Sequence, residues 1–121
     1  MTAKKIEVGQ MVKGYAVLIS RDGGRSQRFS FMWSIQGEMI LPYYEHIGQF
    51  FWKNGDKWHY PQIELNLEDA KDTANDVRKD HKHIHIFHAS GNIINIYHRF
   101  PKYFKGELVD VDHFMITEEV S

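Results

Sequence analysis

The sequence predicts an α+β domain: a mainly antiparallel β-sheet of about six or seven strands built from hairpins, with one amphipathic helix at about 67–79 packed on it. Three observations carry this reading. Apolar and polar residues alternate with period two in several runs, Gly-rich connectors separate those runs, and only one segment carries apolar residues at helical spacing.

Met11 to Ser20 is rich in β-formers (Val12, Tyr15, Val17, Ile19). Gln27 to Ile35 places Phe29, Phe31, Trp33 and Ile35 on one side and Arg28, Ser30 and Ser34 on the other, with Met32 the exception. Between them, Arg21-Asp22-Gly23-Gly24-Arg25-Ser26 suits positive φ, so the pair reads as a hairpin. Gly48 to Lys53 and Lys57 to Leu65 flank Asn54-Gly55-Asp56, a second hairpin signal, and Pro61 points to an edge or a bulge. Asn66 reads as a helix N-cap, followed by Glu68 and Asp69 where the helix dipole favours anions. Leu67, Ala70, Ala74 and Val77 then form a narrow apolar stripe. A third hairpin is expected from His83–His88, a Ser90-Gly91-Asn92 turn and Ile93–Phe100, with Pro101 closing it. Glu107 to Thr117 reads as a final strand.

Composition narrows the functional classes. The 121 residues suit one domain spanning 1–121, and 42% hydrophobic with 14% aromatic residues supplies a core without cross-links. Fifteen Lys and Arg against sixteen Asp and Glu give a net charge of −1, so no global field steers the chain onto nucleic acid or an anionic membrane. Nucleic acid could be reached only through a local basic loop. Cysteine is absent, which excludes disulfides and thiolate chemistry. With no apolar leader and no membrane-spanning run, the expectation is a soluble, cytoplasmic protein with no membrane partner.

Eight His is a high count, and four stand at positions 81, 83, 85 and 88. On a strand His83 and His85 project in parallel, and an even-length hairpin loop brings His98 to the same face. His83, His85 and His98 would then form a catalytic or metal site, holding a divalent metal such as zinc with one position open. Asp110 or Asp112 could add a carboxylate. Without a metal, paired imidazoles could act as general base and acid on a phosphodiester, with Arg99, Lys102 and Lys105 close in sequence to stabilise phosphate. The competing expectation is a polar sheet face with half-exposed imidazoles.

Two binding elements accompany the His cluster. Arg21, Arg25 and Arg28 around Gly23-Gly24 could fork onto an anion, although no P-loop pattern is present. Phe50-Phe51-Trp52 cannot all face one core, so Phe51, Trp52 and Trp58 are candidates for an exposed interface. None of Ser20, Ser26, Ser30, Ser34 and Ser90 has a nucleophile-elbow context. The leading expectation is a small protein-binding module, an inhibitor, immunity or accessory factor that occludes a macromolecular partner, most simply another protein. The alternative is a small nuclease or phosphodiesterase working through the strand-borne His cluster.

Overall fold

A computed structural model describes residues 6–26, 28–31, 38–40, 50–51, 61–98 and 106–120, with side chains left aside at 31, 38–40 and 50–51. Within them the chain is mostly antiparallel sheet with one helix. In chain order the strands are β1 (Met11–Ser20), β2 (Arg28–Phe31), β3 (Glu38–Ile40), β4 (Phe50–Phe51), β5 (Gln62–Glu64), β6 (His83–His98) and β7 (Glu107–Glu119), with helix α1 (Leu67–Val77) between β5 and β6. Five of these, β1, β2, β5, β6 and β7, form the body of the sheet, and β3 and β4 are segments of three and two residues at its margin.

The first hairpin forms as its Gly-rich connector dictates, with Leu18 opposite Phe31 and Ile19 opposite Ser30. The third does not form. His83–His98 is one continuous strand of 16 residues, paired with β1 along one edge and β7 along the other. The expected count of about six or seven strands built from hairpins is corrected for the same reason, since two predicted arms are one strand. Gly91 explains the misreading. Its φ is not positive, and it sits mid-strand between Val12 of β1 and Val111 of β7. A Cβ at Gly91 would lie 2.6 Å from Val111 Cβ and 2.7 Å from Val111 Cγ2. The glycine answers a close backbone approach, not a turn.

Strand pairing closes on itself. β6 joins β1 to β7, and β5 joins their other edges through Tyr15 opposite Glu64 and Ile63 opposite Val109. The circuit β1–β6–β7–β5 therefore encloses a core in which Leu18, Ile63, Ile93, Val109, Val111 and Ile116 are fully buried. Register shifts between β6 and β7 at Phe87/Ala89, Ser90/Asn92 and Ile93/Asn95 let two long strands coil around that core. One bulge holds His113 at φ 53, a left-handed conformation that a non-glycine residue rarely adopts.

The helix begins where its cap signal places it. Asn66 accepts from the Asp69 N–H at 2.9 Å and donates Nδ2 to Asp69 Oδ2 at 2.7 Å. Ala70 and Ala74 bury against Val17 on the outer face of the sheet, with Ile84 and Ile86 packed beside them. Pro61 is buried and its carbonyl accepts from Val111 N–H, so β5 has neighbours on both sides and is no edge strand. Among the described residues no helix is long and apolar enough to cross a membrane.

Candidate functional site

Period-two geometry fixes which β6 side chains meet which neighbours. Ser20 lies opposite His83, Leu18 opposite His85 and Ala16 opposite Phe87, so the odd residues of β6 share the core face with the even residues of β1. On the other side, Phe87 lies opposite Glu119 of β7. His85 is thus diagonal to Ser20 on one neighbour and to Glu119 on the other, a separation that longer side chains can span.

They do span it. Ser20 Oγ is 2.7 Å from His85 Nε2, and His85 Nδ1 is 3.2 Å from Glu119 Oε1. A carboxylate only accepts, so Glu119 selects the tautomer that carries the proton on Nδ1. Nε2 is then an acceptor, and Ser20 Oγ–H donates to it. This is the order nucleophile, base, orienting carboxylate that activates a serine.

Packing holds the imidazole in place. Phe29 meets the His85 ring edge-on at 5.0 Å and 85°, and the same Phe29 sits 5.0 Å from Phe87. The His85 side chain is 11% exposed and that of Glu119 51%. Glu119 is half in water, so its contact with His85 sets orientation more than it holds the fold. Val120 N–H donates to Ile86 O at 2.7 Å, which pins the end of β7 beside the site.

The Arg21–Ser26 connector lies against the same two imidazoles. A Cβ built on Gly23 would lie 3.6 Å from the His83 ring, and one on Gly24 3.7 Å from His85 Cε1. Both glycines have positive φ, 75° and 93°. Asp22 locks the loop by accepting from Gly24 N–H at 3.1 Å and Ser26 N–H at 2.8 Å. Slight desolvation pushes the Asp22 carboxyl up, but its hydrogen bonds from Ser26 and Gly24 outweigh this and hold it below the usual range. The loop and the histidines, read separately from the sequence, are one place.

The predicted three-histidine centre is corrected. His98 stands at the opposite end of the same strand from His83 and His85, roughly 40 Å of extended chain from His85 at about 3.3 Å per residue. There it lies opposite Glu107, with Nδ1 3.4 Å from Glu107 Oε1, in solvent. Continuity of β6 is the physical reason: without a turn at Ser90-Gly91-Asn92 the two His-bearing segments never fold back. Among the described residues no group of three His, Asp or Glu is placed to hold a metal ion. The carboxylate expected from Asp110 or Asp112 comes from Glu119 instead. Asp110 is buried under Gln62 Nε2 at 2.9 Å and Tyr97 OH at 2.6 Å, while exposed Asp112 pairs with His113.

Of the other candidates, Arg21, Arg25 and Arg28 are exposed. Phe51 is described only through its backbone pairing with Met115, and Trp52, Trp58, Arg99, Lys102 and Lys105 lie outside the described residues. Sequence reading missed Ser20 and Glu119. The signal for Ser20 was its position as the last strand residue before the glycine connector; nothing short of the β6–β7 register could single out Glu119. No protein-family model, curated protein or solved structure matches this chain.

Proposed function

We propose that the chain is a small hydrolase that cleaves an ester bond with Ser20 as nucleophile and His85 as general base and acid. The observation that carries this is the continuous hydrogen-bonded line from Ser20 Oγ through His85 to Glu119. Ser20 Oγ attacks the electrophilic carbon or phosphorus while its proton moves to His85 Nε2. The same proton then passes to the leaving alkoxide as its bond breaks. Water attacks the resulting serine ester, gives a proton to His85, and Ser20 regains it on release of the acid. Glu119 touches neither reacting atom; it is a positioning residue that holds the imidazole and stabilises its charged form.

A module that occludes a macromolecular partner is the second reading. It rests on the aromatic residues Phe51, Trp52 and Trp58 of the sequence, whereas the hydrolase rests on described side-chain contacts, and so it ranks second.

The test is turnover of p-nitrophenyl acetate, p-nitrophenyl phosphate and bis-p-nitrophenyl phosphate, joined to labelling by a fluorophosphonate and peptide mass analysis. Labelling at Ser20, with about a thousandfold loss of turnover in Ser20→Ala and His85→Gln, supports the proposal. Absence of both turnover and label in the folded wild-type protein overturns it.

A further inference from the structure

We infer that the end of β7 lies over His85 in either of two registers, and that Glu118 is a second positioning carboxylate, exchanged with Glu119 by a slide of one residue. The inference deepens the hydrolase reading and rests on it for any effect on turnover, but the exchange itself is argued from strand pairing.

The bulge comes first. Ala89 lies opposite Ile116 and Phe87 opposite Glu119. His88 alone stands between the two β6 residues, whereas Thr117 and Glu118 stand between their β7 partners. β7 therefore carries one extra residue here, and the side chains beyond it swap faces. Ile116 is fully buried, so counting by two from it would put Glu118 on the core face. The bulge puts Glu119 there instead, on His85 Nδ1. In a straight ladder Thr117 would lie opposite His88, Glu118 opposite Phe87 and Glu119 opposite Ile86. Glu118 would then be diagonal to His85 and would offer Nδ1 the same kind of acceptor that Glu119 offers now.

Backbone bonding separates the two registers little. Thr117 Oγ1 reaches His88 O only at 3.5 Å, the far limit of a hydrogen bond. Beyond the bulge Val120 N–H donates to Ile86 O at 2.7 Å, and after the slide Glu119 N–H takes that place. Side chains set the preference. Val120 is half-buried, and the slide would set the Glu119 carboxylate in its position beside Ile86, itself packed against the helix cluster. This cost keeps Glu119 on His85 in the native chain. Neutralising residue 119 removes both the contact that favours the bulged register and the charge that opposes the straight one.

The test follows the His85 tautomer through its imidazole 15N shifts, with turnover measured beside it. In Glu119→Gln the Nδ1–H form should fall but persist, and Overhauser contacts of Phe87 should move from residue 119 to residue 118. Adding Glu118→Gln should shift His85 to Nε2–H and lower turnover about tenfold further. Deletion of Thr117 is the control, because a straight ladder then sets Glu118 opposite His88, on the other face, and leaves residue 119 opposite Phe87. In the deleted chain carrying Glu119→Gln, adding Glu118→Gln should leave the tautomer where it was. An equal loss there means a diffuse charge effect and overturns the exchange. So does a double variant no different from Glu119→Gln alone. Should the deleted chain fail to fold, the Overhauser contacts decide, and Phe87 still facing residue 119 in Glu119→Gln overturns the exchange. If the tautomer follows Glu118 while no ester turns over, the hydrolase fails and the exchange stands. If turnover needs Ser20 and His85 but ignores Glu118 in every background, the exchange fails and the hydrolase stands.

Discussion

Ser20 Oγ and His85 Nε2 stand 2.7 Å apart across 65 residues of chain, joined because β1 and β6 are antiparallel neighbours with Ser20 opposite His83. The hydrogen bond is a product of register. A slip of one residue in that pairing would send His85 to the helix side of the sheet and leave Ser20 without its acceptor.

The orienting role proposed for Glu119 makes a kinetic prediction. Glu119→Gln should lower kcat about 10- to 100-fold with KM little changed, because an amide no longer selects the Nδ1–H tautomer or stabilises the charged imidazole. Glu119→Asp should recover part of the loss. Steady-state kinetics on the best chromogenic ester measures both, and a Glu119→Gln variant with wild-type kcat would remove Glu119 from the site.

Gly91 makes a packing prediction. Gly91→Ala should destabilise the fold by about 1–3 kcal/mol, since its Cβ would enter the space of Val111. Adding Val111→Gly should cost less than the sum of the two single changes, because it removes both Val111 Cβ and Cγ2, the atoms that the new Cβ would meet. Denaturant melts of the four proteins in the cycle measure this coupling. Strict additivity would mean that the glycine serves some other purpose.

Alkaline stability depends on Tyr97. Its hydroxyl donates to Asp110 Oδ2 at 2.6 Å, and this bond, followed by burial, raises the Tyr97 pKa above its ordinary value of 10.0. The folded chain holds the proton more tightly than the unfolded one. The stabilisation is therefore fully present below pH 10 and is lost as pH climbs through the folded value. Wild type should lose more melting temperature between pH 9 and pH 11 than Tyr97→Phe does. At pH 7 the variant should be weaker by about 0.5–1 kcal/mol, toward the low end because Tyr97 is 40% exposed. Parallel pH profiles of the two proteins would contradict the assignment.

The helix start offers a simpler prediction. Asn66→Ala removes the acceptor for Asp69 N–H and the donor to Asp69 Oδ2 together, and should cost about 1–2 kcal/mol. Asn66→Ser, which restores a capping oxygen, should recover part of it in thermal melts followed by circular dichroism.

The sequence made local features legible and left non-local ones hidden. Asn66, the Ala70/Ala74 stripe and the glycines of the first connector each act over a few residues, and each appears where its chemistry predicts. His83 and His85 were correctly placed on one face with Phe87, because alternation needs no partner. His98 was misplaced because Ser90-Gly91-Asn92 has the composition of a turn, and the reason for its glycine, Val111, lies on another strand. Glu119 was invisible for a related cause. It reaches His85 through a β7 register carrying bulges, which break the alternation that a reader counts along.

The closed β1–β6–β7–β5 circuit also governs when the site can come into being. Its pairings join distant parts of the chain: Ser20 and His85 are 65 residues apart, and His85 and Glu119 are 34. Such pairings must close long loops before they yield stabilising contacts, which places this chain among slow folders compared with helical domains of its size. Helix α1 can gain its backbone hydrogen bonds early. Ser20, His85 and Glu119 meet only once three separate strands have docked, so during refolding the proposed ester cleavage should return after the helical signal, serving as a clock for the last step of assembly.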